Sequence, residues 1–349
     1  MSTLLALREG RVLLVARAGF ARNVPARVDS VPAAAIAALI ELGVDPRAFS
    51  DLRRHDSRLV SWSNDAPAAL KSPDAVHVER GALEATLFAR VLRNPRLTLM
   101  PAPRSRAGLR LLVAPHASRG AIVLDATGRA SVLAAQRVTM PSPWYAWTRL
   151  WPAAANRPYD EAFRIAATPA GYCYRLGTRG RLTVGVVTFA RGPRGQQAEL
   201  FDGCRREFPW LFEGVPGGEL ASTERVHPAA VQWATHTGVL AVGDACLARD
   251  ALSSQGLACS ISQSHYAVAV ESRADAALYE ARAREQRRNH LRSLDGMLSE
   301  SRYAGVAPWL RYRAFVAREL EAVSAIPNPV VVLRSRQLKS AVPASPLVG

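Results

Sequence analysis

Lysine is all but missing from this sequence: Lys71 and Lys339 are the only two, and arginine supplies the rest of the basic side chains behind a formal net charge of +16. Arginine spread through an alanine-rich chain is a compositional bias. A face built for a polyanion would gather the charge and interleave it with aromatic rings that stack on bases. No such block occurs. The densest run, Arg282, Arg284, Arg287, Arg288 and Arg292 with Glu280 and Glu285 among them, reads as a solvated helix face. The pattern argues against a nucleic-acid partner and leaves the surplus charge free to attract an anionic cofactor or an acidic protein.

Cysteine is also scarce. Cys173, Cys204, Cys246 and Cys259 stand far apart, without the paired spacing of a zinc site or the density of a secreted disulfide scaffold, so a reducing cytoplasm is expected. Long apolar runs are missing too. Arg8, Glu9, Arg11 and Arg17 interrupt the first twenty residues, so these are not expected to form a signal peptide, and no segment reaches membrane-spanning length, so no membrane association is expected. Finally, there is no Gly-x-Ser-x-Gly, and the seven histidines form no i, i+4 pair beside a carboxylate. Serine-hydrolase and metal chemistry therefore have no support.

What is present is enough apolar material for a large core, at 49% of 349 residues. Thr3 to Glu9 reads as the tail of a helix, and Arg11 to Arg17 as a buried strand that ends at Ala18-Gly19. Val31 to Leu42 predicts a helix opened by Pro32 and stopped by Gly43, and Glu79 to Arg93 a second one closed by Asn94-Pro95. Strands are expected at Leu97 to Met100, Leu109 to Ala114 and Ala121 to Asp125. From Arg137 to Phe189 the alternating, aromatic-rich texture is that of an antiparallel sheet. Gln196 to Phe208 reads as a helix, Val239 to Val242 as a short buried strand, Gln255 to Ala281 as one long helix, and the chain stays helical to about Val323 before an irregular tail.

The segment with the most chemistry is Gly238 to Cys246, followed by Asp250-Ala251-Leu252-Ser253-Ser254-Gln255-Gly256-Leu257. An apolar strand delivers Gly243 where the backbone must pass close to something. Asp244 can then accept hydrogen bonds from a sugar hydroxyl, and a helix N-terminus with free N–H groups follows. Gly243-Asp244 alone is equally an ordinary strand-to-turn exit. A polar, glycine-containing helix entry after it favours a ligand.

This segment resembles the second FAD-binding motif of the FAD-dependent monooxygenase (aromatic-hydroxylase-like) superfamily. It looks most like the branch of tryptophan-halogenase-like proteins and quinone-cofactor-maturation flavoproteins. The resemblance implies that Gly243 and Asp244 hold the flavin ribityl chain, and that Ser254, Gln255, Gly256 and Leu257 lie by its pyrimidine edge, where the helix dipole favours an anionic reduced ring. Val78-Glu79-Arg80 resembles the family's arginine-led helix and makes Arg80 a flavin contact, or else a surface arginine at a helix start. Asp125-Ala126-Thr127-Gly128-Arg129 resembles the turn beside the dinucleotide, with Asp125 and Gly128 as contacts, although Asp125 could equally cap the turn. Gly171-Tyr172-Cys173-Tyr174 resembles the strand over the flavin. Tyr172 and Tyr174 share one face there, as pocket wall or as core. Glu300 to Arg313 resembles the helical tail of the quinone-maturation branch.

The fold this implies is α/β: a Rossmann-like, glutathione-reductase-type FAD domain in residues 1–136 and 224–285, an inserted antiparallel substrate-domain sheet in 137–223, a C-terminal helical region in 286–326 and a tail in 327–349. The family's opening strand and Gly-x-Gly-x-x-Gly turn do not occur, and their expected place is upstream of Met1 in an incompletely read gene. Ala16 also stands where an acidic residue would bind the adenosine ribose. FAD binding is therefore expected to be weak or absent in the chain as given.

The implied activity is hydroxylation of an aromatic ring through a flavin C4a-hydroperoxide, on a small aromatic or on a tryptophan side chain of a peptide, with reduced flavin supplied by NAD(P)H or a reductase partner. Halogenation ranks lower, because no Trp-x-Trp-x-Ile-Pro stretch occurs and Lys71 lacks suitable surroundings. A partner-binding remnant without catalysis is the alternative.

Overall fold

A computed structural model describes residues 2–16, 27–50, 54–64, 66–119, 121–133, 136–139, 145–152, 163–178, 180–189, 197–215, 222–225, 229–232, 239–250, 252 and 255–325. In chain order the elements are α1 (Ser2–Glu9), β1 (Val12–Ala16), β2 (Val28–Pro32), α2 (Ala33–Glu41), β3 (Arg54–Ser61), β4 (Ala68–Glu79), α3 (Arg80–Leu92), β5 (Leu97–Pro101) and α4 (Arg106–Ser118). Then come β6 (Val123–Asp125), β7 (Gln136–Thr139), β8 (Tyr145–Pro152), β9 (Phe163–Thr168), β10 (Gly171–Gly177), β11 (Arg181–Thr188), α5 (Gln197–Glu207), β12 (Ser222–Arg225) and β13 (Ala229–Gln232). The last are β14 (Val239–Ala241), α6 (Asp244–Leu247), α7 (Gly256–Val268), α8 (Arg273–Ser299) and α9 (Ala307–Ser324). The mixed α/β fold and the helical C-terminal region are as expected.

An eight-stranded sheet runs in the order β12-β8-β11-β10-β9-β3-β4-β2. Its ladders are antiparallel except where β3 lies parallel to β9, with Arg58 opposite Phe163. Strands β2, β3 and β4 therefore join this sheet from before residue 137. They escape a sequence reading because β3 carries Arg54, His55, Asp56 and Arg58, and much of it is exposed. Two further pairs are parallel, β1 with β5 and β6 with β14, and no ladder joins one pair to the other among the described residues.

Period-2 alternation assigns the two faces of the large sheet. Tyr172, Ala167, Val187 and Phe189 face α8 and α9, against Leu291, Leu294, Trp309, Tyr312 and Val316. Cys173, Ala166, Leu182, Val184 and Val186 face α5 and the turn after it, against Phe201, Phe208 and Leu211. Both faces are covered, so β9, β10 and β11 are buried almost end to end. A third core gathers α1, α2 and α3 over β2 and β4, with Ile261 of α7 among them.

Two expectations need correcting. Leu109 to Ala114 is not a strand but the middle of α4. Ser105 caps that helix by accepting from Gly108 N at 2.9 Å, and Leu109, Leu112 and Val113 recur at helical spacing. The helix expected from Gln255 to Ala281 is two: α7 ends at Val268, and α8 begins after Ser272, whose hydroxyl accepts from Asp275 N at 3.2 Å. Proline also sets a boundary. Pro32 ends the β2 ladder with φ −55° and ψ 140°, and α2 starts at the next residue.

Candidate functional site

The parallel register of β14 on β6 sets Val239 opposite Val123 and Ala241 opposite Asp125, so the turns after the two strands leave at the same end. Val242 N extends the pairing by donating to Asp125 O at 2.9 Å. At Gly243 the backbone turns with φ 62° and ψ −141°, a conformation open essentially to glycine alone. A Cβ there would also lie 2.8 Å from Ser260 Oγ. The Gly243 carbonyl accepts from Cys246 N and Leu247 N at 2.9 Å each. Asp244 thus becomes the first residue of α6.

The Asp244 carboxylate meets the other turn. Its Oδ2 lies 3.4 Å from Arg129 Nε, with the two side chains 37% and 31% exposed. Two segments read separately in the sequence are brought together here, and Asp244 stays open enough to accept from something else.

Asp125 organises its own turn. Buried at 1% exposure, it accepts from Thr127 N at 3.0 Å, Thr127 Oγ1 at 2.6 Å and Leu133 N at 2.9 Å. This is the turn-capping role, and its contribution to the site is the shape of the loop. Gly128, at φ 65°, has no heavy atom of the described residues, its chain neighbours aside, within 4 Å of where a Cβ would sit. Ser131, left-handed at φ 41°, donates its hydroxyl to Ala245 O at 2.9 Å and ties the loop to α6.

At the entry to α7, Gln255 precedes the helix, and its side chain makes no cap bond to the first N–H groups. Its own Oε1 accepts from Arg249. Gly256 opens onto free space, and Leu257 packs into the core under α1 and α2. Ser254 lies outside the described residues. Arg80, at the start of α3, is held by two carboxylates: its guanidinium bonds Glu84 and lies 3.3 Å from Asp29. Burial alone would lower its pKa, but the two carboxylates outweigh that and raise it.

Tyr172 and Tyr174 share a face, with ring centroids 6.4 Å apart. Tyr174 is half-buried and lies across Gly185 of β11, where a Cβ would be 2.3 Å from its ring. Tyr172 is 1% exposed and sits among Trp62 and Phe189. Its hydroxyl has no hydrogen-bond partner among the described residues. Burial, with the nearby charge of Asp250 added to it, pushes that hydroxyl's pKa well up.

Asp250, present in the motif but given no role by it, is a buried carboxylate. Tyr312 OH donates to its Oδ2 at 2.7 Å, and Leu252 N donates to its Oδ1. Burial raises its pKa to about 6, against the pull of these two bonds and of Arg129. Around it the rings of Phe189, Trp309 and Tyr312 pack with centroids 4.9 Å and 5.3 Å apart. Sequence offered no signal for Gln263 or Gln286, which support Gly243 from behind.

These residues fit the ribityl and ring half of a flavin: a half-exposed carboxylate on a glycine turn and, among the described residues, two glycines with nothing against them and a helix N-terminus without a side-chain cap. For the adenosine half, Ala16 at the end of β1 offers no side-chain acceptor, and its carbonyl is taken by Ala102 N at 2.8 Å. Among the described residues no cluster of three metal-ligating side chains exists, and no helix is long and apolar enough to cross a membrane. The four cysteines are buried, and none of them forms a disulfide.

No family model and no curated protein matches the sequence. Solved structures do match in fold. The peptidyl tryptophan dihydroxylase QhpG, essential for tryptophylquinone cofactor biogenesis, is 19% identical over 89% of this chain and 75% of its own, with a TM-score of 0.64. The myxobacterial chondrochloren halogenase CndH, a variant of FAD-dependent halogenases, is 17% identical over 94% of this chain and 88% of its own, with a TM-score of 0.66. The 2,6-dihydroxypyridine-3-hydroxylase of Arthrobacter nicotinovorans is 14% identical over 87% and 90%, with a TM-score of 0.62. At such identities the shared property is the fold. These neighbours share the fold that the resemblance to the FAD-dependent monooxygenase superfamily implies.

Proposed function

We propose that this chain is a flavin-dependent oxidoreductase that hydroxylates an aromatic ring, carried either by a small molecule or by the tryptophan of a peptide. The observation that carries the reading is the meeting of Asp244 with Arg129 beside the glycine turns at Gly243 and Gly128. Bound FAD, once reduced by NAD(P)H or through a reductase, would supply the activation of O2. Asp244 would accept hydrogen bonds from the ribityl hydroxyls, with Arg129 fixing the direction of its carboxylate. Gly256 would let the flavin ring approach the α7 N-terminus, whose free N–H groups favour negative charge. The aromatic face with Tyr172 and Tyr174 would keep water from the reacting ring. Buried cysteines outside any disulfide agree with a reducing compartment, and a cytoplasmic location is part of the proposal.

Hydroxylation is preferred to halogenation because Lys71 stands exposed on β4, opposite Ser57 in its ladder. A second reading, a partner-binding protein that has kept the fold without the cofactor, is favoured by Ala16 alone. Titration of the purified chain with FAD separates the two. Quenching of flavin fluorescence that Asp244→Ala abolishes supports the enzyme, whereas free-flavin fluorescence at every protein concentration supports the partner-binding protein.

A further inference from the structure

The N–H of Gly243 points off the β14–β6 ladder into the protein, where an unmet donor would be costly. Gln263 meets it: its Oε1 accepts from Gly243 N at 2.7 Å. Gln263 is 1% exposed, on α7. An amide could present either end, and what lies behind it decides which. Gln263 Nε2 donates to Gln286 Oε1 on α8 at 3.0 Å, and Gln286 Nε2 in turn donates to Ser262 Oγ at 3.4 Å. The Cys259 thiol also donates to Gln286 Oε1, at 3.6 Å. Reversing Gln263 would set two N–H donors against each other at Gly243 and two oxygens against each other at Gln286. The donor-only N–H of Gly243 therefore fixes the sense of Gln263, Gln286 backs that sense from behind, and Gln263 in turn holds the rotation of the Gly243 peptide that starts α6 at Asp244. Tyr279, also on α8, steadies the strand just before the turn by donating to Ala241 O at 2.6 Å.

We propose that Gln263 and Gln286 are positioning residues of the flavin site, a directional amide relay that runs from α8 through α7 to Gly243 and aims the Asp244 carboxylate. This rests on the flavin reading above. The same helix α8 lays Leu291 and Leu294 against the aromatic face of the large sheet. One rigid element thus carries both the support of the cofactor turn and the cover of the proposed substrate wall.

The test uses the full chain and the variants Gln263→Met, Gln286→Met and the double variant. Methionine keeps the length of the side chain and removes its polarity. Two readouts are taken: hydrogen exchange of the Gly243 amide by NMR without flavin, and FAD affinity by fluorescence. Gln263→Met is expected to speed exchange at Gly243 and weaken FAD on the order of tenfold, as for a buried donor left without its acceptor. Gln286→Met should act in the same direction by less. The double variant should be no worse than Gln263→Met, because both belong to one chain of bonds. Additive losses, or wild-type FAD affinity in Gln263→Met, overturn the relay. Wild-type protein that takes up no FAD overturns the flavin reading and the positioning role with it, whereas FAD uptake indifferent to Gln263 sinks the relay alone. Should Gln263→Met fail to fold, Gln286→Met, one bond further from the turn, still has to speed Gly243 exchange, and unchanged or slower exchange there refutes the relay.

Discussion

Tyr312 of α9 donates its hydroxyl to the Asp250 carboxylate at 2.7 Å, with both side chains buried. The bond closes the last helix onto the loop between α6 and α7, yet it does not offset the burial that raises the Asp250 pKa from an ordinary 3.8 to about 6. A carboxyl whose folded pKa is raised adds stability that is complete below about pH 4 and is lost as pH rises through 6. At roughly 1.4 kcal/mol per unit this amounts to about 3 kcal/mol at most. Urea unfolding across that range should show stability falling as the carboxyl ionises, and Asp250→Asn should remove this component. An Asp250→Asn variant with the wild-type pH profile would assign the slope to another group.

His290 acts in the opposite sense. It is buried on α8, neither ring nitrogen has a partner among the described residues, and burial, aided by the charge of Arg249, lowers its pKa from 6.5 to about 3. A base with a depressed folded pKa contributes stability that is present above 6.5 and lost as pH falls toward 3, on the order of 5 kcal/mol over the full interval. Between about pH 4 and 6 this loss on acidification runs against the Asp250 gain. His290→Leu should therefore unmask the Asp250 slope and leave the protein more resistant to acid. Unchanged acid unfolding in His290→Leu would show that the imidazole is protonated in the folded state.

At Gly243 two costs can be separated. Alanine there meets a glycine-only backbone conformation and a Cβ 2.8 Å from Ser260 Oγ. The backbone strain alone is worth about 1–3 kcal/mol. Ser260→Ala removes the oxygen but not the strain, so the double variant should recover only part of the loss in thermal unfolding. Full recovery would mean that the turn tolerates a side chain and that the contact was the whole cost.

The parts of this molecule that were legible in the sequence are those in which local pattern and tertiary role coincide. Val239 to Gly243 and Asp125 to Gly128 are strand-to-turn exits written in apolar runs and glycines, and the structure joins them side by side. The β9–β11 sheet is written in alternation, and Tyr172 and Cys173 do face opposite cores. What escaped depends on distant partners. Strand β4 carries Lys71, Pro73 and Asp74 and is a strand because β2 and β3 pair with it on either side. Gln263 and Gln286 lie on helices with no local mark of the carbonyl-like role they play. Asp250 was visible in the motif, but its burial follows from Tyr312, 62 residues on.

Arg129 offers the clearest separation of site from scaffold. Its pair with Asp244 is 3.4 Å long and about a third exposed on both sides. Solvent screening leaves such a pair worth less than about 1 kcal/mol to folding. Arg129→Gln should therefore leave thermal unfolding nearly unchanged. The same change frees the Asp244 carboxylate from this charged partner and should weaken FAD by several-fold, with a loss that shrinks as salt is raised, since the Coulombic share of the pair is screened. Asp244→Asn should reduce FAD affinity more, because an amide replaces an oxygen acceptor with a donor. If Arg129→Gln lowers the unfolding temperature by several degrees with FAD affinity intact, the pair belongs to the scaffold, and the carboxylate that holds the ribityl chain has to be sought elsewhere on the turn.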